Sequence, residues 1–115
     1  MSLPGASAEN RRTTDRFPLR TKVLLVVGDN QRMEGRTLDI GKGGMGVVSD
    51  WNLPFGTDLV VRLGLPTRTG ACQMVVRARV VNVTLAGSVG GFRLGLQFVN
   101  ADAGTLSAID QFLQR

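Results

Sequence analysis

Apolar residues fall into a regular pattern from Lys22 onward. KVLLVV, residues 22–27, is a short β-branched run. In MEGRTLDI, residues 33–40, Met33, Leu38 and Ile40 stand apolar among polar neighbours. Gly28-Asp29-Asn30 lies between them and has the chemistry of a turn, so the two runs predict a hairpin. MGVVS (45–49) predicts a third strand. TDLVVRLGL (57–65) predicts a fourth, entered through a Pro54-Phe55-Gly56 turn. CQMVVRARVVNVTL (72–85) predicts a long fifth, in which Val76, Ala78 and Val80 alternate with Arg77 and Arg79. GFRLGLQFV (91–99) predicts a sixth, after a loop from Ala86 to Gly91. The period then changes. Leu106, Ile109, Phe112 and Leu113 fall at helical spacing behind Asp102, which suits an N-cap. Six closely spaced strands with glycine-rich turns predict an all-β domain, a small antiparallel barrel or sandwich. The C-terminal helix is expected to lid it or pack on its side, with Leu106, Ile109 and Phe112 on its apolar face.

Residues 1–21 lack this periodicity and carry Pro, Ser, Thr and clustered arginines. They read as a flexible basic arm, leaving 22–115 as the barrel with its helix. Met1-Ser2-Leu3 has the look of an added leader, which would make the chain an excised domain, and it takes no part in the fold argument. A length of 115 residues suits one domain with a modest core. The net charge of +5 favours an anionic partner. Five Phe, one Trp and no Tyr leave few rings on which bases could stack, which argues against a nucleic-acid module.

One cysteine, Cys72, and no histidine exclude an internal disulfide framework and leave no ligand set for zinc. They point to a reducing, cytoplasmic setting with Cys72 as a packed thiol. No acid–base or nucleophilic set can be named, so the chain does not read as an enzyme. No apolar run approaches the length of a membrane span.

Two stretches carry candidate chemistry. The arm contains NRRTTDR, with Arg11, Arg12 and Arg16. A solvated basic tail is the plain reading of it. As a binding element, arginine supplies planar forks that grip phosphate oxygens and lie on purine faces. The second stretch is DIGKGGMGV, residues 39–47. A tight strand-to-strand turn is the plain reading here. It is neither a P-loop nor a dinucleotide fingerprint, because the spacing differs and no helix follows. As a binding element, the glycines let a ligand approach the main chain and free amides donate to anionic oxygens. Asp39 can accept from a guanine N–H edge, and it has no obvious local base to pair with. Lys42 reads as a solvated lysine.

Together the stretches resemble the PilZ domain, a bacterial receptor for cyclic di-GMP. The family pattern is R-x-x-x-R followed by [DN]-x-S-x-x-G. Arg12 and Arg16 fit the first motif with Arg11 in front, and Asp39 and Gly44 fit the second. FPLRTKVLL, GMGV, ARVVNV, FRLGLQFV and IDQFL also look like PilZ segments in order, over roughly residues 10 to 114. Arg16 and Arg20 satisfy the first motif too. The doubled arginine and the following FPL favour Arg12 and Arg16, with Arg20 at the start of the first strand.

The resemblance implies a six-stranded, split-barrel-type fold. It also implies cyclic di-GMP as ligand with no further cofactor, bound by Arg11, Arg12, Arg16, Asp39, Gly41 and Gly44. The arm would order on ligand binding and pass the change to an effector protein or domain, without nucleic acid or membrane insertion. Gly41 stands where the family has serine. One lost neutral hydrogen bond is worth about 0.5–1.5 kcal/mol, at most about tenfold in affinity. The expectation is weakened binding. The alternative is a degenerate PilZ-like domain that has lost the nucleotide and acts through protein contacts.

Overall fold

The computed structural model describes residues 16–87 and 90–114. Seven strands run β1 Phe17–Pro18, β2 Lys22–Val27, β3 Gln31–Ile40, β4 Gly44–Ser49, β5 Asp58–Thr67, β6 Gly70–Leu85 and β7 Phe92–Phe98, followed by helix α1 Ala103–Leu113. The hydrogen-bonded order β3-β2-β5-β6-β7-β4 closes on itself, because β4 also pairs with β3. Every pairing is antiparallel. The six-stranded antiparallel barrel expected from the sequence is therefore present. Closure removes the free edges that an open sheet of this size would expose.

Alternation fills the interior. Val23 and Leu25 of β2, Val61, Leu63 and Leu65 of β5, Met74, Val76, Ala78 and Val80 of β6, and Leu94 and Leu96 of β7 are all buried. The β2–β3 hairpin turns at Gly28, whose φ of 64° is the left-handed conformation that glycine tolerates. The loop into β5 is a turn closed by Thr57 N–H donating to Pro54 O, with Gly56 at φ 90°.

Two bulges interrupt the pattern. β6 slips between Val80 and Asn82, and β3 slips between Thr37 and Asp39. The slip in β3 decides which way Asp39 faces. Met33, Gly35 and Thr37 face inward at period two, and after the slip Ile40 faces inward as well. Asp39 consequently points out of the barrel.

β1 was not expected from the sequence. Phe17 pairs with Ile40 and Pro18 with Asp39, on the same side of β3 as β2. Residues 17–21, which the sequence reading assigns to the arm, are joined to β3. Leu19 N–H donates to Leu38 O, Thr37 N–H donates to Thr21 O, and Leu19 is buried.

Helix α1 begins as expected at Asp102, whose carboxylate accepts from Thr105 N–H at 2.8 Å. That backbone bond holds the Asp102 carboxyl below the usual carboxylate value. A lowered folded pKa means that the cap's contribution is present above the unfolded value and fades as pH falls through the folded one. The helix packs on β5 and β6. Its buried residues, Thr105, Ala108, Ile109 and Phe112, join the barrel's apolar cluster. The expected apolar face needs correction at Leu106, which is 41% exposed. Positions 105, 108, 109 and 112 form one stripe, and Leu106 falls on its flank.

Replacing Ile109, which is 0% exposed, by Ala should cost about 2–5 kcal/mol in urea denaturation. Leu106→Ala should cost less than about 1 kcal/mol. Equal losses would show that the helix packs on a different face.

Candidate functional site

Asp39 is the first candidate residue with a defined environment. Its Oδ1 accepts from Gly46 N–H at 3.0 Å and lies 3.1 Å from Arg16 Nη1. The sequence shows no local base to pair with Asp39. The structure supplies one 23 residues upstream. The β3 bulge turns the carboxylate outward, and the β1 pairing of Pro18 with Asp39 brings Arg16 to it. Among the described residues Oδ2 takes no hydrogen bond. About a third of each side chain is exposed. A pair this open contributes on the order of 0.2–1 kcal/mol.

The glycine connection between β3 and β4 is three residues long, Gly41–Gly43. Gly41 N–H donates to Gly44 O, and Phe98 N–H donates to Gly43 O. Lys42, read from the sequence as solvated, lies 3.4 Å from Asp110 of α1. The connection is therefore tied to β7 and to the helix. Gly44 is glycine for a packing reason, since a Cβ built there runs into the Leu96 carbonyl oxygen of the facing strand β7. Gly46 has a related constraint: its Cβ would stand 3.0 Å from Asp39 Oδ1. Gly41 is buried and is not among the described residues with positive φ.

The structure thus brings Arg16, Asp39, Gly41 and Gly44 to one end of the β3–β4 hairpin. Arg11 and Arg12 lie outside the described residues. The sequence did not reveal the Gly46 amide, the hydroxyl of Thr37 or a groove along β3 whose lining includes none of Arg16, Asp39, Gly41 and Gly44. The groove measures about 620 Å³ and runs along the outer side of β3, with Arg20, Lys22, Glu34, Arg36, Leu38 and Asp50 among its lining. Lys22 and Arg36 stand directly opposite each other across β2 and β3. Like charges in that position repel. Among the described residues neither they nor Arg20 make an ion pair. The sequence carried one usable signal, because Thr37 is a polar residue in the inward phase of Met33 and Gly35. The groove had no such signal, since strand pairing creates it.

Among the described residues no helix is long and apolar enough to cross a membrane. Nor, among them, could any group of three or more His, Cys, Asp or Glu side chains hold a metal ion.

A family model described as PilZ domain matches residues 10–115. No curated protein matches the sequence. Among solved structures, the Bacillus subtilis inhibitor of motility MotI/DgrA is 20% identical with a TM-score of 0.76, over 87% of this chain and 48% of that one. This chain thus spans about half of that protein. The PilZ domain of CeSA from a cellulose-synthesizing bacterium is 20% identical with a TM-score of 0.65, over 89% of this chain and all of that one. The PilZ domain of Escherichia coli YcgR, solved with c-di-GMP, is 16% identical with a TM-score of 0.62, over 86% of this chain and 87% of that one. At these identities the likeness is one of fold.

Gly44→Ala should lower stability by about 2–3 kcal/mol, because β4 or β7 must move to admit the methyl group. Gly64→Ala is the control, since its Cβ would meet only Gln73 Nε2 at 3.4 Å and Ala71 Cβ at 3.8 Å. It should be neutral or stabilising by up to about 1 kcal/mol. Denaturation midpoints for the two variants check this.

Proposed function

The chain belongs to the PilZ domain family, which includes cyclic di-GMP receptors, and on that basis we propose that it is a cyclic di-GMP-binding signalling module. The observation that carries this reading is the contact between Arg16 and Asp39, which joins the arm motif to the hairpin motif. In the proposed complex, Arg11, Arg12 and Arg16 give guanidinium forks to the phosphates and guanine edges. Asp39 accepts from a guanine N–H edge, and the ligand approaches the main chain of the glycine connection at Gly41 and Gly44. The groove along β3 falls within the range of about 300–1,000 Å³ common for ligand sites, although Arg16, Asp39, Gly41 and Gly44 do not line it. Among the described residues its Lys22 and Arg36 form no ion pair, and with Arg20 they outnumber the lining carboxylates Glu34 and Asp50.

Binding has a small electrostatic cost to overcome. The exposed Arg16–Asp39 pair is worth at most about 1 kcal/mol, whereas a hydrogen bond to a charged group nets about 1.5–3 kcal/mol. The ligand can therefore displace or bridge the pair. The arm closes over it and gains order, and that change is passed to a partner protein or domain. The same family reading makes the domain regulatory, with no catalytic step of its own.

Gly41 favours a second reading, a degenerate module that acts through protein contacts alone. Calorimetric titration of the full chain with cyclic di-GMP separates the two. Heat of binding is expected for the wild type, and its absence in folded protein would favour the degenerate module. Asp39→Ala should weaken binding by about 1.5–3 kcal/mol without unfolding the domain. Arg16→Ala should lose most measurable binding and Arg20→Ala much less. If Arg20 proves essential and Arg12 dispensable, the arm motif is read in the Arg16–Arg20 register.

Gly41→Ser tests the departure from the family directly. Its backbone does not require positive φ, so a serine meets no conformational strain of that kind there. Affinity should rise by up to about tenfold. Unchanged or weaker binding by a folded Gly41→Ser protein would mean that the connection differs in shape and not only by one hydroxyl.

A further inference from the structure

Thr37 occupies an inward position on β3 where packing alone would call for an apolar side chain. It is 1% exposed and shares its phase with Met33 and Gly35. Its hydroxyl donates to Leu19 O and accepts from Thr21 N–H at 2.9 Å, with Thr21 O a further 3.2 Å contact. Its own backbone N–H donates to Thr21 O. These bonds fall where the ladder is broken. β1 pairs with β3 at residues 39 and 40, and β2 pairs with it from Arg36 back to Gln31. In between, Leu19 dips into the core, leaving Leu19 O and Thr21 N–H without ladder partners. One hydroxyl serves both groups, accepting with a lone pair and donating its single proton.

The position has a consequence for the ligand site. Three residues before Leu19 stands Arg16, and two residues after Thr37 stands Asp39, past the bulge. We infer that Thr37 is a positioning residue of the ligand site: its buried hydroxyl fixes the root of the arm to β3 and so sets Arg16 against Asp39. The inference rests on the reading that Arg16 and Asp39 hold cyclic di-GMP. A hydroxyl without this role would affect stability only.

Three variants of the full chain test it: Thr37→Val, which keeps the shape and removes the hydroxyl; Thr37→Ser, which keeps the hydroxyl; and Val61→Ala. Val61 is fully buried on β5, which pairs with β2 and β6 but not with β3. It therefore supplies a loss of stability remote from the arm. Calorimetry with cyclic di-GMP should show Thr37→Val weakened by about tenfold or more, because both hydrogen bonds of the hydroxyl are lost together. Thr37→Ser and Val61→Ala should stay near wild type. If Thr37→Val binds like wild type, or Val61→Ala loses as much, Thr37 is structural only and the inference fails.

A second readout needs no ligand. In nuclear magnetic resonance spectra, the Gly46 amide and Arg16 side-chain signals report the two bonds to Asp39. They should shift in Thr37→Val and not in Thr37→Ser or Val61→Ala. Should the wild type bind no cyclic di-GMP, the ligand reading falls. These signals still decide the positioning, and unchanged signals in Thr37→Val overturn it.

Discussion

A strand that buries Met33 and Thr37 on one face would, at strict period two, bury Asp39 as well. An unpaired carboxylate in that core would be costly. The extra residue at Leu38 removes the conflict. It shifts the phase so that Ile40 closes the core, and Asp39 faces outward against the Gly46 amide. The rest of the candidate site depends on this slip. β1 pairs with the residues just past it, Arg16 reaches the exposed carboxylate, and the glycine connection begins one residue after Ile40.

The surroundings of Asp39 divide into firm and yielding parts. Gly44 pressed on the Leu96 carbonyl, Phe98 bonded to Gly43 O, and the buried hydroxyl of Thr37 are fixed by packing and by buried bonds. The Arg16–Asp39 and Lys42–Asp110 pairs are open to solvent and individually weak. The firm part keeps the geometry, and the exposed charges can exchange partners at little cost.

Most of the barrel was legible because it is written locally. β-branched runs and alternation between glycine-rich turns marked the six strands, Gly28 and Gly56 marked turns that need positive φ, and Asp102 marked the start of the helix. Leu106 was misplaced because it lies close to the apolar stripe, and Thr105, a polar residue, took the buried row. β1 went unseen because two residues, Phe17 and Pro18, carry no period. The bulge left a trace: Met33 is in one phase, and Leu38 and Ile40 are in the other. The motifs named Arg16 and Asp39 separately. Their contact depends on β1 pairing and on the slip, both non-local, and so did not show in the spacing. The groove of Arg20, Lys22 and Arg36 was hidden for the same reason, since cross-strand register brings residues 22 and 36 face to face.

Whether arm and hairpin form one cyclic di-GMP site is decided by amide hydrogen exchange on peptides covering residues 10–21 and 39–46, with and without saturating cyclic di-GMP. A shared site slows exchange in both peptides together when the nucleotide is added. Unchanged exchange in both, in protein that remains folded, would rule the shared site out.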